Sequence, residues 1–241
     1  MNPAQTIRDA VSRVSALRQA SDADPALHDA IVSVKSFQAR RFAQTYADLL
    51  SAGPYKDAAR FFLDELYSDK DYSLRDAQFS RIAGALQTLF PKPVVAIAVS
   101  LAELHALTEE LDHKVGSEWL LAAGLKNTNE GQRYGHAWRA VGRRSDRVAQ
   151  LNDVLAVGYE LDKLTRASGL RMMLKMMRRP ASAAGLSSLQ SFLESGFDTF
   201  AQMNGRGKGA QEFLQIVQER ESLLIEELFA LEIEQPMTRW T

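Results

Sequence analysis

The sequence predicts an all-α fold, a single bundle-like domain of about eight or more helices over residues 1–241, and three observations carry that prediction. Apolar residues recur at spacings of three and four through most of the chain, the period of one helix face. No segment alternates apolar and polar residues about an Asn-Gly or Asp-Gly turn, as a hairpin would. Prolines fall between the periodic stretches or at their starts rather than inside them.

Taken in order, Ile7, Val11, Val14 and Leu17 mark a first helix that stops at Ser21-Asp22-Ala23-Asp24-Pro25. A second is expected from about Pro25 to Leu50, ending at Gly53-Pro54, with Pro54 in the first turn of the next. Ser73, with Asp76 three residues on, reads as the N-terminal cap of a helix through Phe79, Ile82, Leu86 and Leu89. Pro91-Lys92-Pro93 then precedes a long helix from Val94 to about Val115. Trp119–Leu125, Tyr134–Val141 and Val148–Leu164 read as helices of different lengths, with a weak division of the domain near 115–130. Ser168-Gly169 and Pro180 bracket a short basic helix, and Leu186–Met203 follows it. The run Gly205-Arg206-Gly207-Lys208-Gly209 reads as a hinge before a last helix, Gln211–Leu231, and residues 235–241 as a frayed tail.

The chain has no cysteine, which excludes disulfides, thiolate metal sites and cysteine nucleophiles. Its most apolar uncharged stretch, Pro93–Ala102, is about half the length a bilayer-spanning helix needs, and Met1–Ala10 holds no apolar run, so a cytoplasmic protein without a transmembrane segment is expected. A net charge of −1 argues against nucleic acid as the main partner. The charge is nonetheless uneven. Residues 133–179 hold eleven Lys or Arg against four acidic residues, whereas 212–234 hold seven Glu against one Arg. The two segments could pair within the fold or face an acidic protein or anionic ligand.

Candidate chemistry centres on the long helix. A wheel at about 100° per residue places Ile97, Leu101, Leu104, Thr108 and Leu111 on one stripe, with His105, Glu109, Asp112 and His113 beside it. His105, Glu109 and His113 are therefore the candidate ligands of a metal or haem centre. Glu110-Leu111-Asp112-His113 has the Glu-x-x-His spacing of di-iron bundles, but the second pair such bundles need is missing. Asp69-Lys70-Asp71-Tyr72-Ser73 starts like a calcium loop, yet Leu74 and Ser80 stand where glycine and a bidentate glutamate belong.

Two basic segments are candidate ligand-binding surfaces. In 171–179, Arg171, Lys175, Arg178 and Arg179 fall on one arc and four methionines with Leu174 cover the rest, the pattern of a helix that grips an acidic partner or fills a core. In 133–147, Arg139 and Arg143 stand with other arginines among Tyr134 and Trp138, an arrangement that suits phosphate or packs its aromatics inward. Neither a Walker loop nor a Gly-x-Ser-x-Gly elbow is present.

Phe61-Phe62-Leu63-Asp64-Glu65-Leu66-Tyr67 places two phenylalanines, two leucines, a tyrosine and adjacent carboxylates in two helical turns. Phe62, Leu63, Leu66 and Tyr67 read as core, while Asp64 and Glu65 reach solvent or pair with a base from the middle segment. With Arg75–Phe79, Leu104–Asp112 and Phe192–Phe200, this stretch resembles bacterial proteins named after an FFLEELY motif, over about residues 55–221 and with Asp64 in place of a Glu. The resemblance implies no activity, since that family has none assigned. Phe192–Phe197 also echoes Phe62–Tyr67, six positions too few to establish a repeat.

With no complete catalytic constellation, the leading expectation is a non-enzymatic binding or regulatory protein that engages an acidic partner or ligand through Arg171, Lys175, Arg178, Arg179, Arg139 and Arg143. No cofactor is expected on that reading. The alternative is a haem- or iron-dependent helical enzyme centred on His105. Phe61, Phe62, Leu66, Phe79, Leu104, Phe192, Phe197 and Phe200 are the expected core.

Overall fold

Side-chain caps and prolines start the first two helices. In the computed structural model, which describes residues 2–67, 70–124, 129–167, 169–206 and 209–230, Asn2 Oδ1 accepts from the Ala4 amide and Asp24 Oδ1 from those of Ala26 and Leu27. Pro3 and Pro25 take first-turn positions that need no amide donor, opening α1 (Pro3–Asp22) and α2 (Pro25–Thr45). The expected single helix to Leu50 is broken at Tyr46 and resumes as α3 (Ala47–Ser51). Pro54 stands before α4 (Lys56–Glu65) rather than in its first turn, because the chain first turns through Gly53 at φ 100°.

The start of α5 (Ser73–Leu89) also differs from expectation. Asp71 accepts from the amide and hydroxyl of Ser73, and Asp76 is buried instead of capping. Helix α6 (Lys92–Leu121) outruns its expected end, because buried Val115 and Trp119 continue its apolar face. A 3-10 turn, Ala122–Gly124, follows. Helix α7 (Glu130–Val141) opens with a reciprocal capping box between Asn129 and Gln132 and ends at Gly142, φ 66°. Helix α8 is Arg144–Thr165.

The basic segment forms two short helices rather than one, α9 (Leu170–Met176) and α10 (Arg178–Ala183). Pro180 does not end the segment, because it lies in the first turn of α10, where a missing amide costs no helical bond. Helices α11 (Ser187–Arg206) and α12 (Ala210–Ala230) complete the order, and α11 runs into the glycine stretch through Gly205. Asp69, Leu125, residues 207–208 of the expected hinge and the expected frayed tail 235–241 lie outside the described residues. The chain is all-α, with no strand among the described residues.

Helix α6 is the spine, packed against α1, α2, α7 and α8, and it passes through part of the stretch where a weak division was expected. Ala98, Ala102 and Ala106 on α6 let α1 approach closely, and Ile7, Ala10 and Val14 fill that contact. A larger core joins α2, α4, α7, α8, α11 and α12 around Phe42, Tyr46, Phe62, Phe200 and Phe213. Five of the eight expected core residues, Phe61, Phe62, Leu104, Phe197 and Phe200, are buried, while Leu66, Phe79 and Phe192 pack partly buried at core edges.

Where α2 crosses α6, a Cβ on Gly116 would stand 2.4 Å from Ile31 Cγ1 and 3.2 Å from Ile31 Cα. Gly116→Ala is therefore predicted to cost about 1–3 kcal/mol, through overpacking at a crossing whose backbone cannot retreat. The readout is a lower urea midpoint at unchanged slope; an unmoved midpoint would show that the crossing relaxes freely.

Candidate functional site, an interior cavity

The stripe predicted on α6 does not meet a filled core along its whole length. Ile97, Leu101, Leu104 and Thr108 line a cavity of about 480 Å³, lined also by side chains of α4, α5, α8, α9, α10 and α11. That volume lies within the usual range for small-molecule pockets. Its walls are mainly hydrocarbon. The two aromatic motifs meet here, with the rings of Phe61 and Phe192 stacked at 5.9 Å and the Gly196 Cα side of α11 against Phe61. Their similarity thus has a shared location, since α4 and α11 pack together and both line the cavity.

One end of the cavity is polar and buried. Lys35 Nζ donates to Glu109 at 2.7 and 2.9 Å, and Gln38 Nε2 to Asp112 Oδ1 at 2.9 Å. Arg41, 3 % exposed, donates to Glu221 Oε1 at 2.6 Å, and the Tyr46 hydroxyl donates to the same oxygen at 3.0 Å. Burial pulls the Arg41 guanidinium down, but the Glu221 carboxylate more than restores it and keeps it charged. Arg147, 6 % exposed, lies 4.2 Å over the Trp138 ring and donates through Nη1 to Gln150 at 3.0 Å, while Gln150 donates to Thr108 at 2.7 Å. Burial raises the Asp112 carboxyl against the opposing pull of Arg147 and Lys35. Burial likewise pushes the Tyr134 hydroxyl up to about 12.

The predicted metal face does not converge. His105 Nε2 sits 3.0 Å from Asp76 Oδ2, Glu109 is taken by Lys35, and His113 is lowered by burial and then by Lys114. His105 and Glu109 have turned to separate partners, and no group of three metal-ligating side chains stands together among the described residues. A ligand role for this set would require His105 and Glu109 to leave those partners.

The predicted basic surface is largely engaged within the fold. Arg171 donates to Asp198 at 2.9 Å, Arg178 to Glu194, Arg143 to Glu110 and Asp146, and Arg139 to the Leu228 carbonyl at 3.1 Å. Lys175 and Arg179 are exposed. Arg144 reaches Glu226 at 2.5 Å, so the basic middle and acidic end do meet across the fold. Tyr134 and Trp138 are core, not a stacking platform. Glu65 pairs with Arg75 at 3.1 Å rather than with a base from the middle segment, because α5 follows directly and brings that guanidinium under Phe192.

Arg41 and Glu221 are functional candidates that neither the wheel of α6 nor the charge runs singled out, whereas Asp112 already stood beside the stripe and Arg147 within the basic run. For Arg41 and Glu221 a signal was present, since both stand on an apolar stripe of their own helix. Arg41 continues Val34 and Phe37, and Glu221 falls between Val217 and Leu224.

A family model described as Domain of unknown function (DUF8198) matches residues 17–235. No curated protein and no solved structure matches the chain.

At the other side of the cavity, Arg18 Nη2 donates to Asp76 Oδ2 at 2.6 Å, on the same oxygen that faces His105. Burial pulls the Asp76 carboxyl up, but hydrogen bonds and charge from His105 and Arg18 outweigh it and hold its pKa below the ordinary value. A depressed carboxyl stabilises the fold fully above the unfolded value of about 3.9 and loses that contribution as pH falls through its lower folded value. Asp76→Asn should therefore lower the melting temperature at pH 7, with the gap to wild type closing below about pH 3.9; a gap that stays constant would show that charge at Asp76 is not what stabilises.

Proposed function

The chain belongs to the DUF8198 family, and we propose that it is a non-catalytic binding protein that encloses a small amphipathic molecule between α4, α6, α8 and α11. The observation that carries this reading is a cavity of about 480 Å³ whose walls are hydrocarbon except for one buried polar end. An apolar void of this size lined on one side by charges would lose dispersion contacts and leave polar groups underused, unless something fills it. The polar groups are bound to one another as salt bridges and amide contacts, an arrangement that orients a guest rather than one that moves protons. That the family is the one named after FFLEELY, and that the protein works in a bacterial cytoplasm, belong to the same proposal; the motif at 61–67 and its counterpart at 192–200 support the first.

The outer face of α9 supports a second, compatible reading, contact with an acidic partner. Met172 and Met176 are 69 % and 71 % exposed beside Arg171 and Lys175, whereas Leu170, Leu174 and Met177 of the same segment line the cavity. The exposed ion pairs of Arg171 and Arg178 contribute little to the fold and leave their field available. Reversing Lys175 and Arg179 to Glu should abolish salt-sensitive capture of an acidic polypeptide such as polyglutamate; retained capture would remove this face from the proposal.

Native mass spectrometry of untagged protein purified from a bacterial host tests the main reading. The expected spectrum shows the chain with a stoichiometric adduct, and Leu104→Trp, which fills the cavity, reduces that adduct severalfold. A bare chain mass, together with no change in melting temperature on adding straight-chain amphiphiles, would overturn it.

A further inference from the structure

Three buried nitrogen donors on the wall of the cavity have no hydrogen-bond acceptor. They are Arg147 Nη2, Arg41 Nε and Trp138 Nε1, on residues that are 6 %, 3 % and 6 % exposed. Buried N–H groups are almost always paired, and three orphans on one cavity are far from the usual pattern. Two of them, on Arg147 and Trp138, belong together. The Arg147 guanidinium covers the Trp138 ring, and that ring lies 5.6 Å from Tyr134.

Charge adds a sign to this donor set. Lys35 with Glu109 and Arg41 with Glu221 are close ion pairs, at 2.7 and 2.6 Å. Arg147 is different, because the nearest carboxylate, Asp112, stands 4.0 Å from Nη2 with no hydrogen bond between them. Burial also pushes Asp112 toward its neutral form, which weakens the one counter-charge that Arg147 has. A buried guanidinium with an incomplete partner is costly to hold, and an anion brought in by a guest would recover that cost. Gln150 fixes the guanidinium through Nη1, so Nη2 keeps its direction while free.

We infer that the guest is a monoanionic amphiphile carrying a carboxylate, whose head group takes the free N–H groups of Arg147, Arg41 and Trp138 while its apolar body lies along Leu101, Leu104 and Phe192. This rests on the reading of the cavity as a binding site. A carboxylate offers two oxygens to a guanidinium edge, and the remaining walls offer hydrocarbon alone.

Calorimetric titration with dodecanoate and dodecanol separates the head group from the tail. Wild type is expected to bind dodecanoate at least tenfold tighter than dodecanol. Arg147→Met should erase that preference while dodecanol still binds. Trp138→Phe keeps an aromatic ring under Arg147 but removes the N–H together with the five-membered ring, and serves if Arg147→Met does not fold; it should weaken dodecanoate severalfold more than it weakens dodecanol. Equal binding of both ligands by wild type, a preference that survives in Arg147→Met, or one left undiminished in Trp138→Phe, would overturn the head-group assignment while leaving the cavity reading intact. Binding of neither overturns both. Dodecyl phosphate bound in place of dodecanoate would keep the cationic site but reject the carboxylate.

Discussion

The pairing of Arg41 with Glu221 joins α2 to α12 across 180 residues of chain and sets how the rest of the bundle closes. Two charges this deep are expensive to desolvate, and they repay it only in one geometry. The Tyr46 hydroxyl completes that geometry by donating to the same carboxylate oxygen, and the Tyr67 ring receives the guanidinium at 5.4 Å. A slip of α12 by one turn would strand both ions, so the pair acts as a register mark that hydrocarbon contacts alone would not supply. Once α12 is fixed, Phe213 reaches Phe62 at 5.2 Å and Tyr55 at 5.9 Å, and α4 is held at the mouth of the second core.

The bundle leaves a cavity because its two cores are built from residues of different size. On α1 and the first half of α6 the contact is alanine against isoleucine and valine, and the helices draw close. Farther along, Phe42, Phe200, Phe213 and two tryptophans hold their helices apart. A straight helix of thirty residues such as α6 cannot follow both spacings at once, and the mismatch opens between them. The aromatic motifs of α4 and α11 meet in the wall of this gap.

Much of this was legible from residue spacing. The stripe Ile97, Leu101, Leu104 and Thr108 on α6, the core identity of Phe61 and Phe62, and the all-helical class follow from the period alone. What periodicity could not supply is which faces meet. His105, Glu109 and Asp112 share a helix face in sequence, yet Asp76, Lys35 and Gln38 arrive from α5 and α2 and take one each. Pro54, Pro180 and Ser73 misled at element ends because their effect depends on the neighbouring turn, Gly53 at φ 100° in one case and the carboxylate of Asp71 in another. Arg147 was hidden in a run of arginines whose other members do reach the surface; only its partners on α8 and α7 mark it as interior.

The break at Met177 has a kinetic meaning. Helices α9 and α10 span seven and six residues, too short to persist by their own hydrogen bonds, and they hold position through the packing of Leu174 and Ala181 and through polar ties to α11. They form one wall of the cavity. The free energy needed to displace that wall is a local quantity, smaller than the free energy that maintains α6 and α12. For a guest held as proposed, residence time would be set by this short segment rather than by the stability of the bundle.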